Sequence, residues 1–352
     1  MEALLLAVAG SPVLRSSAGS FDSALLGGAV VRRLSHDRWR MWYSGRPTNF
    51  ATDVVPIGSG YIGVAESADG LSWQRVAGDQ EHGSVVAPSC ARARAFDSTH
   101  VGVGDVIPPA GTESVYRMLY FGGDESTPSL GQATLPKGSR MAIGMATSSD
   151  GIHWMRQSGL LPSGALVEPS DNQVFVGWPQ LLMRTRPSRP RHLLYYHALE
   201  DGKFRIHVAS SDDLLNWTLH GCCLDVAATA GAFDSRGVSA RCVVEDPINP
   251  EELLMFYEGQ DGSGAHSIGV ARGSYDGLQW ERHGSDPVFS PSTDASAWDG
   301  VAVSRPSLVP LGDGSARLYY LGKSAQGVQA IGVAESQGRD WTSWARVIAT
   351  SK

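Results

Sequence analysis

The feature that most constrains this chain is an internal repeat, which occurs five times in 352 residues. One copy consists of an apolar run, a second apolar run and a turn followed by tryptophan. The clearest copy is formed by residues 41–45 (MWYSG), 62–67 (IGVAES) and 69–73 (DGLSW). The other four copies begin with the runs at 118–122, 193–197, 255–259 and 318–322. A repeat of this kind has to be recognised before any other interpretation, because it decides the fold.

Each copy is preceded by a further apolar run, which begins just after an aspartate. These aspartates are Asp22, Asp97, Asp171, Asp234 and Asp299. With the short run that begins at the tryptophan, one unit contains four short runs. They are rich in Val, Ile, Tyr and Trp and bounded by Gly, Asp, Pro and Ser, a pattern typical of strands. Four strands repeated radially form a propeller blade. The sequence predicts an all-β fold, a five-bladed β-propeller with four antiparallel strands per blade. It forms a single domain over residues 1–352, with blades at about 21–76, 96–159, 171–221, 233–284 and 298–351.

Composition excludes several classes of function. The net charge is −7 and no Lys/Arg cluster is present, so we expect no nucleic-acid partner. No run of about 18 apolar residues exists, so we expect no membrane span. Cys90, Cys222, Cys223 and Cys242 are too few and too unevenly placed for a disulfide framework or a zinc site. We expect a soluble, intracellular protein with no metal and no cofactor; the oligomeric state is left open.

The N-terminal segment fits the repeat better than it fits a secretory signal, because Glu2 stands where a signal would carry Lys or Arg. Residues 10–14 (GSPVL) resemble residues 285–289 (SDPVF), the connector before the last blade. We therefore interpret 10–14 as a connector, preceded by an outer or closing strand. A trimmed targeting segment is the alternative.

In a propeller the first strand of each blade lines the central channel, and its start meets the end of the second strand at one face. Residues that depart from the repeat at this face are the best site candidates. These candidates are Arg46, His100, Trp178, His197, Arg241, Glu258 and Arg305. Charges that face one channel must pair with each other or serve a ligand, because burial of a lone charge is costly. An Arg–carboxylate pair across the channel is the structural alternative.

Two sets of aspartates recur with the repeat. Asp69, Asp150, Asp213 and Asp276 lie in the turn at the opposite face, where we expect ordinary turn hydrogen bonds. The aspartates that begin the channel strands either serve the blade structure or, in one or two cases, have been recruited to the site. Asp22, Asp97 and Asp234 remain candidates on the second interpretation.

The repeated patterns MWYSG, IGVAES and DGxxW resemble the five-bladed propellers of the arabinanase, levansucrase and invertase superfamily, which includes glycoside hydrolase families 43, 32 and 68. The resemblance covers about residues 10–347. It implies a pocket for a glycoside at the channel mouth, with three acidic residues as base or nucleophile, pKa modulator and general acid. Tyr43, which belongs to the repeat, is a further candidate because its ring could stack on a sugar, as could that of Trp178. The family motifs differ here: residues 27–29 are Gly-Gly-Ala where the family has Arg-Asp-Pro, and residues 177–179 are Gly-Trp-Pro where it has Glu-Gly-Pro.

A glycosidase needs two carboxylates that flank the bond. We predict Glu258 as the acid, with a pKa raised by partial burial, and Asp97 or Asp22 as the base. A phosphorylase would instead hold phosphate with His100, Arg241 and Arg305, a task that suits Arg. Two alternatives remain: a non-hydrolytic propeller that binds or transforms another small molecule through His and Arg, and a scaffold that binds proteins through loops 46–60 and 122–140.

Overall fold

The computed structural model describes residues 10–89, 95–111, 113–184 and 191–347, and within them the fold is almost entirely β. The secondary structure comprises 23 strands and one 3-10 helix, Glu81–Gly83. The strands β1 to β11 are Leu14–Arg15, Leu25–Ser35, Arg38–Arg46, Tyr61–Ser67, Gln74–Val76, His100–Ile107, Tyr116–Gly123, Ser129–Leu130, Ala133–Thr134, Met141–Ser148 and Met155–Gln157. The strands β12 to β23 are Gln173–Met183, His192–Glu200, Lys203–Ser211, Thr218–Leu224, Gly237–Glu245, Glu252–Gln260, His266–Ser274, Trp280–Arg282, Ala302–Pro310, Ala316–Lys323, Gln329–Ser336 and Trp344–Arg346. The predicted all-β class is confirmed.

Antiparallel pairing follows chain order. The paired sequences of strands are β2-β3-β4-β5, β6-β7-β10-β11, β12-β13-β14-β15, β16-β17-β18-β19 and β20-β21-β22-β23. Single parallel pairs, Phe204 with Gly237 and His266 with Ala302, join the last three of these sequences into one sheet, and β1, which pairs with β22, brings it to 13 strands. The short strands β8 and β9 form a separate hairpin within residues 122–140.

The segments that lead to β6, β12 and β20 dock in the same way. Val86, Val167 and Phe289 pair with Ile62, Ile143 and Ile268, each near the start of the preceding third strand. Before β16 the equivalent pairing joins Ile206 to Leu224, the last residue of β15. Leu14 does the same with Ile331 of β22, so the segment before β2 packs on the last third strand of the chain. The prediction that residues 10–14 are a connector is confirmed. The strand expected before them falls on residues 1–9, outside the described part.

Packing explains why a glycine follows the isoleucine in the third strand, as in the IGVAES pattern. A Cβ on Gly63 would lie 2.0 Å from the Phe21 ring, and a Cβ on Gly144 would lie 2.3 Å from the Phe96 ring. The ring of the aromatic residue that precedes each buried aspartate therefore packs against the third strand at this glycine. This contact fixes the start of a first strand against its own sheet, and the repeat records it in the sequence.

The turn predicted from the second set of aspartates is confirmed. Asp69 Oδ1 accepts hydrogen bonds from the backbone N–H groups of Leu71 and Ser72, and Gly70 adopts a φ of +74°. Three of the four turns also accept a hydrogen bond from a neighbouring sheet. Trp42 donates to Gly151 O at 2.8 Å, Tyr195 to Gly277 O at 2.9 Å and Tyr319 to Gly70 O at 2.7 Å. The last contact joins the fifth copy of the repeat to the first.

Two smaller findings bear on the exclusions drawn from composition. Cys222, Cys223 and Cys242 are free thiols, and Cys90 lies outside the described residues. Within the described ranges no helix is long and apolar enough to cross a membrane.

Candidate functional site

A cavity of about 520 Å³ opens where the second strands end and the third strands begin. Its size is typical of a site for a small molecule. Its walls come from the loops 46–60 and 122–140 and from the ends of β12 to β14, β16 to β18 and β20. The lining residues are Val55, Pro56, Ile57, Leu135, Pro136, Ser139, Met141, Val174, Phe175, Trp178, His197, Leu199, Phe204, Gly237, Ser239, Glu258, Gln260, His266 and Arg305. Four predicted site residues therefore meet in one cavity: Trp178, His197, Glu258 and Arg305.

The charged side of the cavity is built around Glu258. Its Oε1 lies 2.6 Å from His266 Nδ1, and its Oε2 accepts a hydrogen bond from the backbone N–H of Arg305 at 3.3 Å. The Arg305 Nε lies 3.9 Å from the same Oε2. Glu258 is 6% exposed, whereas His266 and Arg305 are half-buried and reach the cavity. A carboxylate, an imidazole and a guanidinium thus share one wall.

The expectation that burial raises the pKa of Glu258 is wrong. Burial does disfavour the carboxylate, but the hydrogen bond from His266 and the positive charges of His266 and Arg305 outweigh it, so the pKa lies below its ordinary value. Burial lowers the pKa of His266, but its bond to Glu258 reverses this and raises the pKa above the ordinary value. The proton shared by the pair therefore resides on His266.

An aromatic stack stands beside this charged wall. The Trp178 ring stacks on His197 with a centroid distance of 4.6 Å and lies 4.1 Å from the Phe121 ring. The Arg305 guanidinium carbon lies 4.0 Å from the Trp178 centroid, within the range of a cation–π contact. Burial, with the nearby charges of Arg241 and Arg305, holds the pKa of His197 well below its ordinary value. His197 is therefore a neutral imidazole that supports the tryptophan.

Trp178 and Arg305 share an unusual backbone. Their φ angles are +49° and +55°, each precedes a proline, and each lies at a break in the register between a first and a second strand. Residues other than glycine rarely adopt this conformation, and where they do the surroundings compensate for the strain. The two breaks turn both side chains out of their sheets and towards each other.

Arg241 lies behind the cavity rather than in its lining. It is 6% exposed and donates from Nη2 to the carbonyl oxygen of Trp178. Its Nε and Nη1 find no hydrogen-bond partner among the described residues, and neither does Nη1 of Arg305. Burial lowers the pKa of Arg241 to about 9. Two guanidinium groups with unsatisfied donors thus stand near one carboxylate.

His100 and Arg46 hold the two long loops. His100 Nδ1 lies 2.9 Å from Ser59 Oγ and its Nε2 lies 2.9 Å from Gly138 O, so its ring bridges both loops. Arg46 donates to the carbonyl oxygens of Ser59 and Val55. Burial lowers the pKa of His100 to about 4, so the ring is neutral near pH 7. Neither side chain lines the cavity, and the predicted binding role of each stays a prediction.

Four of the five aspartates that precede the first strands occupy a common setting outside the cavity, whereas Asp171 is exposed. Each of the four is at most 2% exposed, accepts a hydrogen bond from a tyrosine hydroxyl and pairs with an arginine of the fourth strand. The sets are Asp22 with Tyr43 and Arg75, Asp97 with Tyr120 and Arg156, Asp234 with Tyr257 and Arg282, and Asp299 with Tyr320 and Arg346. Because the same triplet recurs, this geometry favours the structural interpretation. The catalytic roles predicted for Asp22, Asp97 and Asp234, and the binding role predicted for Tyr43, stay untested.

His266 is the site residue that the sequence analysis missed. It stands two residues before Ile268, where the other copies of the repeat carry Gly60, Met141, Phe204 and Gln329. A comparison of third strands position by position would have found it, because it is a titratable side chain at a position otherwise held by uncharged residues. Across the described part of the chain, no three His, Cys, Asp or Glu side chains are grouped so as to hold a metal ion.

Solved structures with the same fold include several glycoside hydrolases. One described as a glycoside hydrolase superposes with a TM-score of 0.68 at 15% sequence identity, over 94% of this chain and 92% of the other. A thermostable family-43 glycoside hydrolase gives 0.63 at 14% identity, over 93% and 95%. A third structure comes from work on the GH130 family of mannoside phosphorylases, which contains glycoside hydrolases that target β-1,2 mannosidic linkages in Candida mannan. It gives 0.62 at 14% identity, over 95% of both chains.

The superpositions show a common propeller-like fold, and at 14–15% sequence identity they show nothing beyond the fold. No protein-family model matches the sequence, and no curated protein matches it.

Proposed function

We propose that the chain is a five-bladed propeller that cleaves a glycoside with phosphate as the attacking group. The observation that carries this proposal is the composition of the charged wall. Among the described residues that line the cavity, Glu258 is the one carboxylate, and it stands beside a guanidinium with an unsatisfied donor. Such a site has a proton donor and an anion holder, but it lacks the second carboxylate that hydrolysis uses.

Three sets of contacts support five blades of four strands. Antiparallel pairing follows the chain in five successive sequences of four strands. The connectors before β6, β12 and β20 each pair with an isoleucine of the previous third strand, and Leu14 continues this pattern onto Ile331. Before β16 the isoleucine pairs with Leu224, the last residue of β15. Tyr319 donates to Gly70 O, which brings the fifth copy of the repeat beside the first. A single radial domain accounts for all three.

The number of carboxylates that line the cavity guides the choice of attacking group. Hydrolysis uses two carboxylates that flank the bond, about 5 Å apart for retention and about 6.5–9.5 Å apart for inversion. Asp22, Asp97 and Asp234 are absent from the cavity lining and are engaged by tyrosine and arginine. Phosphate brings its own nucleophilic oxygen, so one proton donor on the protein is enough.

In the proposed reaction a phosphate oxygen attacks the anomeric carbon while the glycosidic C–O bond breaks. The leaving oxygen takes a proton from His266, which Glu258 orients through their 2.6 Å contact. The proton of hydrogen phosphate restores His266, so the products are a glycosyl phosphate and an alcohol. Arg305 holds the phosphate, because a guanidinium matches two phosphate oxygens at once.

Hydrolysis is the second candidate, and the likeness to solved glycoside hydrolases favours it. In that case His266, oriented by Glu258, again supplies the proton, and Asp97, Asp22 or Asp234 has to reach the bond as the base. The non-hydrolytic binding protein and the protein scaffold have less support. The loops 46–60 and 122–140 that would form the scaffold surface contact each other and line the cavity.

The test is incubation of the purified chain with a panel of 4-nitrophenyl glycosides, with and without inorganic phosphate. We expect release of nitrophenol that depends on phosphate, with the sugar recovered as a glycosyl phosphate. Glu258→Gln and Arg305→Met should each lower it by about 100-fold or more, whereas the exposed control Leu160→Ser should not. Release at the same rate without phosphate, with free sugar as the product, would overturn phosphorolysis in favour of hydrolysis. No release on any glycoside, with or without phosphate, would reject both.

A further inference from the structure

We infer that the glycoside taken by this cavity carries an apolar aglycone, an alkyl or aryl group, rather than a further sugar. This inference rests on the proposed function, since it names the group attached to the sugar in the same cavity. It comes from the origin of the lining residues in the fold. The charged wall of Glu258, His266 and Arg305 comes from β17, β18 and β20, whereas the apolar side chains come from the two long loops, β12 and β14.

The apolar wall is formed by four parts of the chain. The loop 46–60 contributes Val55 and Ile57, and the loop 122–140 contributes Leu135. Phe175 comes from β12, and Phe204 comes from β14. Val55, Ile57, Leu135 and Phe204 are half-buried, so they present apolar surface to the cavity itself. We call these five residues the apolar wall.

The apolar wall is held in place by polar contacts outside the cavity. The backbone N–H of Val55 donates to Lys137 O at 2.9 Å, and Val54 and Lys137 pair as neighbouring parallel strands do. The Lys137 ammonium lies 3.1 Å from Asp53 and 3.3 Å from Glu125, so it bridges both loops on their outer face. His100 bridges them again from beneath. The two loops therefore form one surface.

A second sugar would be poorly served by this surface. Sugar hydroxyls that leave water need hydrogen-bond partners, and an unpaired buried hydroxyl is unfavourable. The five side chains of the apolar wall carry no donor or acceptor. An alkyl or aryl group buries the same surface without that cost, and transfer of one methylene from water strengthens binding by about fourfold. The wall therefore selects a ligand that is polar at one end and apolar at the other.

The experiment measures dissociation constants for matched methyl, n-butyl and n-hexyl glycosides of glucose, mannose and arabinose, with hexanol as the probe without sugar. For the sugar that binds, we expect the constant to fall by about two- to fourfold per methylene. Ile57→Ser and Leu135→Ser should each flatten this dependence on chain length. Leu160→Ser, an exposed apolar residue outside the cavity, should leave the dependence as it is.

Each outcome decides the inference. Methyl and hexyl glycosides that bind equally well would overturn the apolar aglycone while leaving the proposed function in place. Absence of binding by every glycoside, at any chain length, would reject the proposed function itself. Hexanol that binds as tightly as the hexyl glycoside would overturn the inference, because the sugar would then contribute nothing.

Discussion

His197 and Glu258 occupy the same position in their respective sheets. His197 pairs with Ile206 and Glu258 pairs with Ile268, the isoleucine that opens the third strand of each sequence. Alignment of the runs 193–197 and 255–259 places His197 opposite the glycine of the repeat and Tyr196 opposite Glu258. The observed register shifts this alignment by one residue. The glycine position is held by Ala198. Two of the five equivalent positions thus carry a titratable side chain, and both face the cavity.

The Glu258–His266 pair predicts a pH dependence of turnover. His266 donates its proton only while it is protonated, and its pKa is raised, so activity should fall as the pH rises through this raised pKa. Glu258→Gln removes the anion that raises it. The activity of this variant should be about 10²–10⁴-fold lower than that of the parent protein, and its alkaline limb should lie at lower pH. Rate measurements from pH 5 to 9 on both proteins check this, and an alkaline limb that stays in place would contradict the role of His266.

Arg305 should be dispensable for stability and indispensable for turnover with phosphate. Its Nη1 finds no partner among the described residues, and replacement of an imperfectly paired buried charge by an apolar side chain is often neutral. Arg305→Met should therefore keep the melting temperature and lower phosphate-dependent kcat/KM by about 10²–10³-fold.

Arg282→Met is the matched control for Arg305→Met. Arg282 pairs with the buried Asp234 at 2.7 Å, so its loss leaves a carboxylate without its partner. We expect a loss of about 3 kcal/mol in the free energy of unfolding, the low end for a buried pair because Arg282 is partly exposed. If Arg305→Met destabilises the chain as much as Arg282→Met, then Arg305 serves the fold.

The four aspartate–tyrosine–arginine sets predict a common stability effect. Asp97→Asn, Asp234→Asn and Asp299→Asn should each lower the free energy of unfolding by about 2 kcal/mol, because each weakens a charge-assisted contact at a buried site. Turnover per folded molecule should not change. Asp299 serves as the reference, since no catalytic role is predicted for it. Loss of turnover in Asp97→Asn alone, at unchanged stability, would restore Asp97 as a catalytic base.

His100 predicts an acid limb of stability. Burial lowers its pKa from 6.5 to about 4, so between these values the unfolded chain binds a proton that the folded chain does not. Stability contributed by this site is present above pH 6.5 and is lost as the pH falls towards 4, by about 3 kcal/mol at most.

His100→Gln should remove this part of the acid limb, because glutamine does not titrate and keeps a donor and an acceptor for the two loops. The exposed His36→Gln is its control. Denaturant unfolding of the three proteins at pH 4, 5, 6 and 7 measures the difference. Parallel curves for the parent protein and His100→Gln would show that the imidazole does not couple to folding.

The repeat predicted the fold because the residues that build one sheet recur in every copy. The buried aspartate, the aromatic residue before it and the turn after the third strand each make the same contacts several times. Interpretation of departures from the repeat located Trp178, His197, Glu258 and Arg305. Departures on the first and second strands do not include His266, because it lies on a third strand. Without His266, the sequence shows only the burial of Glu258, which raises a carboxyl pKa, and not the hydrogen bond that lowers it.

Other residues were beyond a reading of this kind. Arg46 and His100 also depart from the repeat, yet they support two loops whose contacts are made between different sheets. Sequence position places such side chains near the channel mouth but does not say whether they face a ligand or a neighbouring loop. The apolar wall depends on the same contacts, so it appears only once the loops are seen together.

The hydrogen bonds from Trp42, Tyr195 and Tyr319 to turns of neighbouring sheets all lie at the end of the molecule remote from the cavity. The hydrogen bonds that join neighbouring sheets through these turns and the residues that line the cavity therefore lie at opposite ends of the molecule. A new specificity could be designed by changing the loops at the cavity end while the tryptophan and tyrosine hydrogen bonds at the other end are kept.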